Sequence, residues 1–90
     1  EIDEEISLYL RSLVDSGIFK KRFSDEEWAH FTDKHALDFA IQVEKSSILF
    51  YYGLLEVNHN AKVAESVRTI IEEEKRHLVK LTTHWLDLKE

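Results

Sequence analysis

The stretch Ile70-Ile71-Glu72-Glu73-Glu74-Lys75-Arg76-His77-Leu78 decides how the chain folds. Ile70, Ile71, Glu74, His77, Leu78 and Leu81 fall three and four residues apart, so on a helix they share one face. That face is apolar except for one carboxylate and one imidazole, spaced Glu-x-x-His. Burying an unpaired carboxylate costs on the order of several kcal/mol unless a partner compensates it. A metal ion is the partner that answers both groups at once.

Working outward, the same periodicity predicts a long helix from about Ala61 to Lys89, with Ala64, Val67, Trp85 and Leu88 extending the inner face. A matching long helix is predicted from about Lys34 to Val57. Its buried stripe is Leu37, Ala40, Ile41, Glu44, Ser47, Ile48, Tyr51, Leu54 and Leu55. Between the two, Asn58-His59-Asn60 reads as a tight turn in which asparagine accepts left-handed backbone. A connection that short makes the two helices an antiparallel hairpin. Gly53 inside the first long helix predicts close packing or a slight bend.

Upstream, Ile2 to Val14 reads as a short amphipathic helix with Ile2, Ile6, Leu10, Leu13 and Val14 along one stripe and Asp3, Glu4 and Glu5 in its first turn. Gly17 is its expected stop. Residues Ile18 to Phe23 read as a connector carrying two aromatic anchors and a solvated Lys-Lys-Arg bend. Ser24-Asp25-Glu26-Glu27 matches a capping box that opens a short helical segment through Phe31. Thr32 or Asp33 then either restarts the helix or continues it.

Composition agrees with this all-α plan. The chain has 90 residues, no proline and two glycines, which favours long helices over a sandwich or barrel. Its net charge of −6, from 12 basic against 18 acidic side chains with no basic block, argues against nucleic-acid and anionic-membrane partners. Without cysteine there is no disulfide, zinc ribbon, iron–sulfur cluster or thiol nucleophile. No apolar run approaches a membrane span and no signal-peptide pattern opens the chain, so a cytoplasmic protein is the expectation. The whole of residues 1–90 is expected to form one domain.

Among 18 acidic residues the helical face singles out two. Glu72 faces Arg68 and Arg76, Glu73 faces Thr69, Arg76 and Lys80, and both read as solvated. Only Glu44 and Glu74 stand mid-way along an otherwise apolar stripe. Each is roughly 15 positions from His59, about 22 Å along its helix at 1.5 Å per residue, so the hairpin brings them to one level. Together with His77 they form half of a metal site. Mixed carboxylate and imidazole donors suit Fe(II), Mn(II) or Zn(II). A second hairpin, from another copy or from a longer product (the chain opens at Glu1 without Met), would double the set to the four Glu and two His of a di-iron bundle. His30, His35, His59 and His84 lack such company and are expected at surfaces or helix ends. Trp28, Phe31, Phe39, Phe50 and Trp85 are expected to pack.

The segments 36–44, Phe50-Tyr51 and 71–78 resemble the second half of a rubrerythrin-like protein of the ferritin superfamily, over about residues 24–88. The resemblance implies a ferritin-like four-helix bundle, completed here by a homodimer or higher oligomer, around two iron ions. It implies Glu44, Glu74 and His77 as metal ligands, and Tyr51 as a tyrosine that hydrogen-bonds a ligand carboxylate. The implied activity is oxidation of Fe(II) by oxygen or peroxide, in iron handling or oxidative-stress defence. The family's first Glu plus Glu-x-x-His hairpin has no counterpart in this chain, nor has rubrerythrin's cysteine-ligated domain. The rival expectation is a helical assembly module whose core acid and imidazole are vestigial or bind a structural Zn(II).

Overall fold

The computed structural model describes residues 4–88. Five helices follow one another: α1 (Glu4–Asp15), α2 (Ile18–Arg22), α3 (Asp25–Ala29), α4 (Asp33–Val57) and α5 (Ala61–Asp87). No strand occurs among the described residues. The expected helix start at Ile2 with Asp3, and the expected end at Lys89, lie outside them.

The hairpin of α4 and α5 is the frame of the molecule. Its entry is settled at Thr32, where the chain restarts a helix. Thr32 Oγ1 accepts from the His35 amide at 3.2 Å, and the Thr32 amide donates to His35 Nδ1 at 3.2 Å. Histidine thus takes the place that Glu holds in the usual capping box, which accounts for its exposed position at a helix end. The turn works differently from expectation. Asn58 and Asn60 keep negative φ, −104° and −79°, and act through their side chains. Asn58 Oδ1 accepts from the Asn60 amide at 2.9 Å, and Asn60 Oδ1 caps α5 by accepting from Lys62 and Val63 at 3.0 and 3.1 Å.

Gly17 ends α1 as expected, with φ +78°, the one left-handed residue among those described. The stretch after it is a one-turn helix, α2, where the sequence read as a connector. Phe19 is its buried anchor. Ring centroids stand 5.1 Å from Phe39, 5.4 Å from Phe31 and 5.9 Å from Trp28, while Phe23 lies 5.0 Å from Phe31. This aromatic cluster fastens α2 and α3 to the outer face of α4. The capping box at Ser24 forms in full, with Glu27 returning to the Ser24 amide at 2.9 Å.

On the opposite, inner face, α1 leans across the open end of the hairpin. Ile6 packs with Leu37, Ala40, Ile41 and Leu81, ringed by Tyr9, Leu10, Leu13, Leu78, Trp85 and Leu88. Fully burying a side chain such as Leu37 or Leu81 contributes about 1.5–3 kcal/mol. Val14, expected on the stripe of α1, is 53% exposed. At 100° per residue it sits about 80° from Ile6, at the stripe's edge, while Leu13 takes the centre. Nearer the turn the cover ends. Ser47, Ile48, Tyr51, Leu54 and Leu55 are only half-buried, and Gly53 faces open space where close packing was expected.

Candidate metal centre

The hairpin does bring the predicted residues together. Glu44 is 2% exposed, the one charged side chain in the buried core among the described residues. His77, one turn beyond Glu74 on α5, turns its Nδ1 to within 3.8 Å of Glu44 Oε1. Glu74 lies close enough to Glu44 for the two acids to perturb each other. Its carboxyl is pushed up to about 8, first by burial and then by hydrogen bonding to and repulsion from Glu44, with His77 partly opposing. The pair of acids thus holds a proton more tightly than an ordinary carboxyl does.

Two residues that the sequence reading passed over complete the cluster, both from α1. Glu5 Oε2 lies 3.0 Å from His77 Nε2 and 2.9 Å from Arg76 Nη2, and Glu5 Oε1 lies 2.9 Å from Lys80 Nζ. These donors, Arg76 foremost, then Lys80 and His77, draw the Glu5 carboxyl down to about 2. Glu72 pairs with Lys75 at 3.7 Å, while Arg76 turns its Nη2 to Glu5 and still feels the charge of Glu73. One helical turn after Glu5, the Tyr9 ring lies against the His77 imidazole, centroids 5.4 Å apart and planes at 31°. Burial and then the neighbouring Glu44 carboxylate raise the Tyr9 hydroxyl's affinity for its proton.

The signal for both residues was present but incomplete. Glu5 and Tyr9 flank Ile6 on the edge of the apolar stripe, four residues apart. Nothing in the local spacing says which helix that edge meets, because Glu5 and His77 are 72 residues apart. Tyr51, expected to serve the ligand carboxylates, is half-buried and packs edge-on against Phe50. The phenol beside Glu44 is that of Tyr9.

Two buried polar atoms at this point have no hydrogen-bond partner: Glu44 Oε2 and the Tyr9 hydroxyl. An orphaned carboxylate oxygen in an apolar core is costly, and it is the feature that fits a cation. The donor set also fits, with two carboxylates and an imidazole nitrogen that is not hydrogen-bonded to Glu44. As they stand, no three Asp, Glu or His side chains among the described residues are arranged to hold a metal ion. His77 Nδ1 stands 3.8 Å off Glu44 Oε1.

Comparison with family models, curated proteins and solved structures finds no match. Function is accordingly read from the chemistry of the cluster. A separate open groove of about 490 Å³ lies on the outer face of α4, lined by Arg22, Phe23, Phe31 and Asp38 among others. Its lining includes none of Glu44, Glu74 and His77, and His35, which does line it, uses its Nδ1 to cap α4. No helix among the described residues is long and apolar enough to cross a membrane.

Proposed function

We propose that this chain is a non-haem iron protein of the carboxylate–histidine type, with Glu44, Glu74 and His77 as its metal ligands. The observation that carries the proposal is Glu44, buried with one oxygen unpartnered beside a second acid and an imidazole. Iron bound there would supply one-electron oxidation of Fe(II) with oxygen or peroxide as acceptor. The protein's part is binding and enclosure. Glu44 offers a carboxylate oxygen already stripped of water, Glu74 gives up its proton as it takes up a cation, and His77 offers a ring nitrogen. The Tyr9 ring lies against the imidazole, and its buried hydroxyl stands near Glu44 with its proton retained. Tyr51, lower on the same stripe, is proposed to orient a carboxylate. Manganese and zinc suit the same donors.

Two metals need more donors than one chain supplies, and a second copy is the proposed source. The inner face offers room for it. α1 covers the hairpin from its open end only to the level of Glu44, leaving Ile48, Tyr51, Leu54 and Leu55 half-exposed beyond. A second hairpin seated there would extend the buried face toward the turn, and its access to Glu44, which is buried within the chain, requires α1 to shift.

One observation favours a second reading, a helical assembly module without redox activity. The charges of the cluster are compensated within the chain, Glu5 by Arg76 and Lys80, and Glu74 by its own proton. The test is iron per chain by elemental analysis after anaerobic Fe(II) loading, on protein resolved by size, with Glu44→Ala alongside. Close to one iron per chain in a dimer, lost in the variant, supports the iron protein. A well-folded oligomer that takes up no iron supports the assembly module.

A further inference from the structure

We infer that Glu5 is the positioning residue for His77, accepting the imidazole Nε2–H so that Nδ1 is presented toward Glu44. The inference rests on the metal-site reading and adds to it a residue from a different helix. The Glu5 oxygen at 3.0 Å also accepts from Arg76 at 2.9 Å and is therefore an acceptor, so the ring proton it takes up is the one on Nε2, and a metal ion would displace or find absent any proton on Nδ1. The other nitrogen, Nδ1, then faces the buried Glu44. At 3.8 Å from Glu44 Oε1 it is not engaged by that carboxylate.

The carboxylate that does this is itself held in place. Arg76 and Lys80 grip its two oxygens from 2.9 Å each, and both belong to α5, one residue before and three after His77. The imidazole and the group that orients it are thereby referred to the same helix. Tyr9, one turn along α1 from Glu5, lies against the ring and fixes its plane. A carboxylate on the far nitrogen of a metal-binding histidine sets the tautomer, aligns the ring and strengthens the donor, and its loss commonly weakens metal binding about 10–100-fold.

Glu5 also docks α1, and a docking role alone must be told apart. Glu5→Gln keeps an oxygen that accepts from Nε2–H but lacks the charge that grips Arg76 and Lys80; Glu5→Ala keeps neither. The experiment combines two measurements on the full chain: Zn(II) affinity by competition titration, and the His77 ring N–H signal by NMR of the metal-free protein. In the parent the Nε2–H proton is expected as a signal protected from solvent exchange. Glu5→Ala is expected to lose that signal and to weaken Zn(II) binding about 10–100-fold. Glu5→Gln is expected to keep the signal and most of the affinity.

Parent-like Zn(II) affinity in a folded Glu5→Ala protein overturns the role of Glu5 while leaving the metal site standing. Equal losses in both variants reduce Glu5 to a dock and overturn it too. If Glu5→Ala loses helix content, Glu5→Gln decides alone, and disappearance of its ring N–H signal overturns the inference. A parent that takes up no Zn(II) and no Fe(II) overturns the metal-site reading, and this inference with it.

Discussion

The hairpin has two halves that meet at Glu44, and they are treated differently by the rest of the chain. Toward the open end both faces of α4 are covered. Leu37, Ala40 and Ile41 lie under α1 on the inner side, and Phe39 lies under Phe19 and Phe23 on the outer side. Toward the turn α4 packs on Ala64, Val67 and Ile71 of α5, and the cover is thinner. Tyr51, Leu54 and Leu55 are half-exposed inside, and Leu49 and Phe50 outside are 72% and 64% exposed. Residue type does not separate the halves, since both carry large apolar side chains at helical spacing. What separates them is what leans on them. Two helices cannot bury two wide apolar faces, so α1, α2 and α3 serve one half and the other presents surface of the kind that partners cover. The acid cluster stands where the cover stops.

The largest effect that sharpens this contrast is in the core. Leu37→Ala is expected to cost about 2–5 kcal/mol in urea denaturation, the range for a fully buried leucine. Leu54→Ala, on the same face beyond the cluster, is expected to cost less than about half of that. Equal losses would break the distinction between the halves. At the border itself, Glu44→Gln is expected to leave stability unchanged or raise it by about 1 kcal/mol, because it removes a buried charge with an unmet oxygen. The same variant is expected to lose iron binding, so stability and function part company at this residue. A loss of more than about 1 kcal/mol would mean that Glu44 holds the core together instead.

Acidity probes the border from another side. Glu74 has a folded value of about 8 against the ordinary 4.5, so across that window the folded protein holds a proton that the unfolded chain has released. Thermal melts of metal-free protein should therefore rise as pH falls from about 8 toward 4.5, and Glu74→Gln should flatten that limb. Glu5 acts in the opposite sense. Held down to about 2, it contributes above about 4.5, and the contribution fades as pH falls toward 2. Because Glu5 is partly exposed, that limb is expected to weaken with added salt. The smallest change in monomer stability is predicted for Phe50→Ser, within about 0.5 kcal/mol. Sedimentation velocity is its readout. A shift of the oligomer toward monomer would place the contact between copies on the outer side of the bare half, and no shift would leave the inner side as the proposed seat.

The hairpin and its acids were legible because helical periodicity is a local property. Glu44 and Glu74 stood out as charges in an apolar stripe, and a three-residue turn put them at one depth. Capping at Ser24 was equally plain. What escaped was non-local or a matter of degree. Glu5 read as an ordinary acid of a first turn, since Arg76, His77 and Lys80 lie more than 70 residues away. The asparagines of the turn offered two solutions, backbone or side chain, and the letters do not choose between them. Gly53 and the lower stripe were expected to be packed because periodicity reports which face is apolar, not whether anything covers it.

Gly17 has a consequence of its own. The chain reverses there on a single left-handed backbone angle, yet a β-carbon built at that position meets nothing within 4 Å. The placement of α1 over the cluster thus depends on handedness at one atom and not on room. An L-residue would oppose that torsion, whereas its mirror image would favour it and fit freely, narrowing the choices of the unfolded chain. The seat of Glu5 and Tyr9 over His77 is, in that sense, a question of stereochemistry decided sixty residues upstream of the imidazole.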